Sequence, residues 1–331
     1  MHTDILKNRN SVIVTGLLLL VPLAFLFALM AGSVPVSSND VLRALLHEPV
    51  GQTSQIILQL RLPRAVGAFS CGALLAIAGV LMQVLLRNPL ADPYVLGISG
   101  GAAVAALLAM LMGAGGWWLT GSAFAGSLLS MLIVFGLAQG RGSWSPTRLL
   151  LTGVVIAAGW GAVVSFILAI APERNLHSML FWLMGDLAYV QAVWPGLTVL
   201  VVGLGATMLS ARRLNILLHG ALQAGALGVE VRKLRWFIYI CASLLTATAV
   251  TIAGTIGFVG LIVPHLVRLT GITDHRWLIP GSALLGGCLL VVADTVARIV
   301  MAPQQLPVGV VMALLGVPLF LFLLHRSNRQ L

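Results

Sequence analysis

Apolar runs long enough to cross a bilayer alternate along the chain with short segments rich in proline, glycine, asparagine and charge. About 20 apolar residues cross ~30 Å of hydrocarbon as a helix. The pattern predicts spans at 12–31, 64–86, 94–112, 120–138, 149–170, 190–209, 236–254, 257–271, 278–300 and 308–325. The eighth is short and interrupted by Pro264. The first run, Val12 to Ala31, is longer than a signal-peptide core and has no A-x-A cleavage site, so it reads as an uncleaved span.

Composition supports this pattern. Of 331 residues, 59% are hydrophobic and only 8% charged, against roughly 25% charged in an ordinary soluble domain. So few charges cannot surround a chain of this length with a polar surface, and the hydrophobic content excludes disorder. The expected fold class is an all-α polytopic membrane protein of about ten transmembrane helices, with residues 1–331 as a single transmembrane domain.

The net charge of +10 is accounted for by topology. An even number of spans puts both termini on one side. With them fall 14 of the 19 basic residues, against Arg43, Arg61, Arg64, Arg174 and Arg298 on the other. The positive-inside rule makes both termini cytoplasmic. The basic residues form no single face with interleaved aromatics, so nucleic acid is not expected as a partner. Cys71, Cys241 and Cys288 lie far apart within apolar runs, with neither CxxC nor metal spacing, and read as small buried residues.

Two connections are longer than a turn requires. One is extracytoplasmic, 32–63. The other is cytoplasmic, 211–235, where Leu214, Ile216, Leu217, Leu218, Leu222, Leu227 and Val229 alternate with Gly220, Gly225 and Gly228. Two short helices lying at the membrane surface fit this stretch, and an apolar surface there calls for a partner to cover it. Small residues at Gly97/Gly101, Gly136/Gly140 and Gly153/Ala157/Gly161 mark close helix contacts within the bundle.

Chemistry is sparse. The two lysines, Lys7 and Lys233, precede Asn8 and Leu234, so no P-loop exists and the chain is not a self-contained ATPase of that type. HExxH, GxSxG and paired Cys/His motifs are likewise absent from the sequence, so the chain is not expected to be an enzyme. Asp294 is the one acid well inside a run, and Arg298, four residues on, shares its helix face. The pair reads as structural or gating, as does His265 after Pro264. Between spans five and six, Glu173, Arg174 and His177 form a candidate substrate pathway: a guanidinium for a carboxylate or hydroxamate and an imidazole for a planar cofactor. The safer reading of this segment, Ala171 to Tyr189, is a solvated loop.

From Arg61 to the C-terminus the chain resembles the permease subunits of type II ABC importers of iron-siderophore, haem and vitamin B12, the FecCD-like family. The likeness rests on Arg61-Leu-Pro-Arg64, Gly72-Ala-Leu-Leu-Ala-Ile-Ala-Gly79, Met82-Gln83 and Arg87-Asn-Pro-Leu-Ala-Asp-Pro93 leading to Leu96-Gly97. It continues with Gly254-Thr-Ile-Gly-Phe-Val-Gly-Leu-Ile-Val-Pro-His265, Thr273-Asp-His-Arg276 and Leu306-Pro-Val-Gly309. Their order and spacing make the set specific.

The resemblance implies a homodimer in a bacterial inner membrane, with two cytoplasmic ABC ATPase subunits that bind ATP and a periplasmic substrate-binding protein. Residues 211–235 inherit the coupling role, through Leu214, Leu217, Leu218, Ala224, Leu227, Gly228 and Glu230. Arg61, Arg64 and Arg298 inherit docking of the binding protein through pairing with its surface acids, which takes them as exposed. No intrinsic cofactor or metal is implied. The cargo is haem or a related iron chelate, favoured by Phe181-Trp-Leu-Met-Gly-Asp186 and the Arg174/His177 pair, with ferric siderophore and cobalamin as alternatives. A nucleotide-independent secondary transporter is the competing reading, and it expects internal repeats and buried acids.

Overall fold

The computed structural model describes residues 2–32, 34–46, 51–138, 145–188, 190 and 192–327. The expected position Gly140 lies outside them. Sixteen helical elements are formed by the described residues. A long helix α1 (His2–Met30) leads into a short amphipathic helix α2 (Ser38–Leu45), whose N-terminus is capped by Ser37 Oγ accepting from Asp40 N at 3.1 Å. A single turn α3 (Gln52–Gln55) and a π-helical turn (Ile56–Arg61) run directly into α4 (Leu62–Leu86). A 3₁₀ turn (Pro93–Leu96) precedes α5 (Ile98–Leu111), then come α6 (Trp117–Ala138), α7 (Pro146–Ile170), α8 (Glu173–Met184) and α9 (Trp194–Leu218). The chain ends with α10 (Ala221–Ala226), α11 (Val231–Ala253), α12 (Val259–Leu269), α13 (His275–Ile299) and α14 (Val308–Ser327).

Each of the ten expected spans coincides with a helix. Seven stretches among the described residues are long and apolar enough to cross a membrane, and α5, α12 and the 308–323 part of α14 are shorter apolar helices. The protein is an all-helical polytopic membrane protein. Its lipid-type character is visible on the outside: Leu18, Leu19 and Leu23 of α1 and Val154, Val155 and Phe166 of α7 all stand exposed. Helices packed this way gain nothing from the hydrophobic effect against each other and rely on close van der Waals contact.

α4 is the axial element, packed against α13, α11, α12 and α9. Its glycines explain why. A Cβ on Gly72 would lie 2.9 Å from Leu290 Cβ and closer still to the Gly286 carbonyl of α13. A Cβ on Gly79 would run into the Gly260 backbone of α12. The Gly72…Gly79 repeat, seven residues apart on one face, therefore fits two helices against one. Of the other small-residue sets, Gly101 meets Gly126 and Ser130 of α6, and Gly153 meets the Val95 carbonyl, whereas Gly161 has nothing within 4 Å.

Three sequence expectations are corrected. The 211–235 segment does not form two surface helices: α9 continues unbroken to Leu218, and only α10 is a separate short helix. The helix ends where His219 gives way to Gly220 at φ +124°, and no glycine lies between Ala211 and His219. The 171–189 stretch is not a loop over most of its length, because Glu173–Met184 is helical and buries Met179 against α5 and α7 side chains. The second span begins earlier than residue 64, since helical backbone is continuous from Gln52.

Candidate functional site

Five charged side chains gather at the end of the bundle where α4 begins and α13 finishes. Arg61 and Arg64 are three residues apart and so share a helix face, and Asp294 and Arg298 are four apart on α13. The close Gly72–Gly286 approach brings these two faces together. Arg64 Nε donates to Asp294 Oδ1 at 3.0 Å and Oδ2 at 2.9 Å, and its Nη2 donates to Oδ1 at 2.8 Å. Arg64 Nη1 donates to Gln305 Oε1 at 2.7 Å, and Asp186 Oδ1 lies 3.7 Å from Nη2. The expected i,i+4 pair is present too, with Arg298 Nε 3.3 Å from Asp294 Oδ2. It is not aligned as a hydrogen bond, and Arg298 Nη2 instead donates to Ala28 O and Thr295 Oγ1, each at 3.1 Å.

The docking role implies exposed arginines, and the structure corrects this: Arg61, Arg64 and Arg298 retain only 5%, 9% and 8% of their accessible surface. Each is drawn inward by acceptors that sequence does not display. Arg61 donates to Leu29 O at 2.6 Å and Met30 O at 3.1 Å, carbonyls of the last turn of α1, and also to Val34 O, with Met30 O accepting from Val36 N as well. Three guanidiniums here face two carboxylates, Asp186 and Asp294, so one positive charge is in excess. The exposed approach to the cluster is past Gln305, an exposed residue on the connection between α13 and α14.

α8 lies beside this cluster. Glu173, Arg174 and His177 are exposed along it, and the His177 ring is 4.4 Å from that of Phe181. The structure does not bring these three into contact with Arg64, but it does bring the end of α8 there. Gly185 takes φ +77°, its carbonyl accepts from Gly309 N at 3.3 Å, and the Thr255 hydroxyl donates to Leu183 O. Asp186 follows directly, its Oδ1 also accepting from Ala188 N at 2.8 Å. Burial raises the Asp186 carboxyl above the ordinary carboxylate range, and Arg64 acts against that shift. Among the described residues no three His, Cys, Asp or Glu side chains are grouped to hold a metal.

The opposite end of the bundle carries the segment expected to couple. Leu214, Leu217 and Ala224 are buried supports, whereas Leu218, Leu222 and Leu227 are 47%, 92% and 70% exposed. Gly228 at φ +79° and Glu230 are exposed beside them, and Glu230 pairs with Lys233 at 2.7 Å. Asn215, near the end of α9, ties this segment to α13. Its Nδ2 donates to Asp274 Oδ1 at 2.7 Å, and its Oδ1 accepts from His275 N at 3.0 Å and faces His275 Nδ1 at 2.6 Å. Asp274 in turn caps α13 by accepting from Arg276 N at 2.9 Å, which gives the Thr273-Asp-His-Arg276 motif a structural role. Gln83 joins α4 to α12, donating to Gly260 O at 3.3 Å and accepting from Arg268. His265, half-buried on α12, takes no part in that link.

The partners that sequence reading misses are Asp186, Gln305, Asn215 and Gln83. Met82-Gln83 and Gly185-Asp186 lie in motifs noted above, but nothing in their spacing names Arg268 or Arg64 as the partner.

Comparison with known proteins follows the same architecture. The FecCD transport family matches residues 18–326. The hemin transport system permease protein HmuU of Yersinia pestis is 42% identical over 285 residues, covering 83% of this chain and 84% of that one. The cobalamin import system permease protein BtuC of Halobacterium salinarum is 44% identical over 280 residues, covering 83% and 75%. A solved structure of an inward-facing ABC transporter assigned to the metal-chelate type superposes with a TM-score of 0.84 at 31% identity, covering 96% of this chain and 99% of that one.

Proposed function

The chain belongs to the FecCD transport family, and on that premise we propose that it is the membrane-spanning permease subunit of an ATP-driven importer. It crosses the membrane ten times with both termini in the cytoplasm, in a bacterial inner membrane, and works as a homodimer. The observation that carries this reading is the pairing of two unlike ends on one bundle: an arginine cluster with excess positive charge at one, and exposed leucines on α10 and its flanks at the other. The exposed α10 face, Leu222 and Leu227 with Leu218, takes an ABC ATPase subunit. The arginine end takes a periplasmic binding protein through its acidic residues.

The mechanism follows from differential binding. Closure of the ATPases on ATP favours one position of α10, and a state favoured at one end of a rigid bundle is favoured throughout it. α9, which continues into this segment, and α13, tied to it by Asn215, carry that preference toward the Asp294 cluster. Cargo released by the binding protein then passes along α8 at the interface between copies. The chain's own part is to bind, position and release; ATP hydrolysis belongs to the partner subunit.

The cargo is haem or a related iron chelate, on the strength of Arg174, His177 and the neighbouring Phe181 ring, with ferric siderophore and cobalamin as the alternatives. HmuU and BtuC are named for hemin and cobalamin respectively, and both lie at similar identity to this chain. The secondary-carrier reading is not favoured. The experiment is affinity purification of the tagged chain from native membranes in mild detergent, with mass spectrometry of the co-purifying proteins and an absorbance spectrum. A stoichiometric P-loop ATPase is the expected companion, and a Soret band in the presence of cargo selects haem. A folded chain that repeatedly comes down alone contradicts the assignment.

A further inference from the structure

Arg64 is where two parts of the molecule meet. A guanidinium offers five N–H groups, and all three nitrogens of Arg64 are engaged. Nε and Nη2 hold Asp294, Nη1 holds Gln305, and Nη2 also faces Asp186. A carboxylate arriving from outside therefore reaches Arg64 only by replacing something. Asp294 is the hardest to displace, with three contacts from Arg64 and the Arg298 charge at 3.3 Å. Gln305 is neutral and exposed. Asp186, at 3.7 Å, is beyond hydrogen-bond distance and is held by charge alone. An acid entering past Gln305 draws the guanidinium toward itself, and the Asp186 contact is the one that gives way.

The position of Asp186 makes that loss consequential. It directly follows Gly185, at the end of α8, where Leu183 and Gly185 are fastened to Thr255 and Gly309. This short strap lies between the α11–α12 turn and the start of α14, and Asp186 is its ionic link to α4. We propose that Asp186 is a positioning residue for transport. Its attraction to Arg64 holds the end of α8 in place while the arginine end is undocked, and a partner carboxylate on Arg64 releases it. This rests on the docking reading above and assigns to that site the step by which docking is felt at α8.

The test uses the complex purified with its ATPase and binding protein, placed in lipid nanodiscs, with Ala188→Cys as reporter. Ala188 is exposed in the structure, and labelling of the native cysteines is subtracted. Its rate of modification by a membrane-impermeant maleimide is measured with and without the binding protein. With Asp186 intact, docking speeds labelling at least about fivefold, the low end of ordinary coupling between two sites. Asp186→Asn keeps the oxygen that accepts from Ala188 N and removes the charge. It labels at the docked rate without the partner, gains nothing on docking, and binds the partner within about threefold of wild type. Asp186→Glu restores the dependence on docking.

The proposal is overturned if Asp186→Asn labels at the undocked rate and still accelerates on docking. It is equally overturned if the variant speeds labelling by the same factor in both states and Glu does not rescue, which is what a merely structural role gives. If the binding protein fails to bind the wild-type complex, the docking reading itself fails, and this result is distinct from the others.

Discussion

Arg64 holds Asp294 through three N–H···O contacts of 2.8 to 3.0 Å, between residues 230 positions apart in the chain. Both side chains are almost wholly buried. A buried pair of this kind stabilises little over a well-packed apolar pair, but removing one partner leaves a charge without compensation. Asp294→Asn leaves Arg64 and Arg298 facing each other, so it is expected to cost about 3–5 kcal/mol. The double variant Arg64→Met with Asp294→Leu is expected to be less destabilised than either single change. Apparent Tm in detergent at one fixed scan rate checks both.

The leucines of the coupling segment divide by burial, and so should their variants. Leu222 is 92% exposed and Ala224 is fully buried two residues later. Leu222→Asp is expected to abolish recovery of the ATPase with the tagged chain while leaving its Tm unchanged. Ala224→Asp buries an unpaired charge and is expected to lower folded yield itself. Loss of the ATPase from both variants at equal Tm runs against this division.

Close backbone contact predicts which glycines tolerate a methyl group. Gly72→Ala pushes α4 away from the Gly286 backbone, an overpacking of about 1–3 kcal/mol that a flexible side chain cannot absorb. Gly161→Ala on the open face of α7 should leave the folded chain unaffected. Thermal unfolding of the two variants side by side separates them.

Asp92 gives a pH dependence with a definite sign. It caps the turn before α5, accepting from Tyr94 N at 2.8 Å, and burial pushes its carboxyl from 3.8 up to about 6. A raised carboxyl favours the folded state below the unfolded value and loses that contribution as pH rises through the folded one. Asp92→Asn, which keeps the cap, should therefore match wild type near pH 4 and become the more stable by about pH 6, with the difference constant above. A Tm difference that shrinks as pH rises contradicts the assignment.

The spans were legible because bilayer crossing imposes a length and a polarity that any window of the sequence displays. The Asp294–Arg298 relation was legible for a similar reason, since four residues on a helix is one turn. Arg64 as the principal partner of Asp294 was not, because no local spacing links residues on two helices far apart in sequence. The arginines' burial was hidden for the same reason: the acceptors for Arg61 are carbonyls of Leu29 and Met30, which every residue carries. The continuation of α9 through Leu218 overrode a reading based on glycine breaks, since those glycines begin only at Gly220. α8 escaped because its charged first turn, Glu173 and Arg174, reads as solvated polar sequence whether helical or not.

The central claim is that transport through this chain is driven by ATP on a partner subunit. The most direct test reconstitutes the purified complex into vesicles, traps ATP or a non-hydrolysable analogue inside, and adds the binding protein loaded with haem, a ferric siderophore or cobalamin outside. Transporters whose ATPase sites face the lumen carry cargo from the binding protein outside to the nucleotide side inside, so uptake is read as cargo appearing in the vesicle lumen. Transfer of one cargo class is expected, and it stops when ATP is replaced by the analogue. Transfer that proceeds without nucleotide, driven by a proton gradient alone, contradicts it.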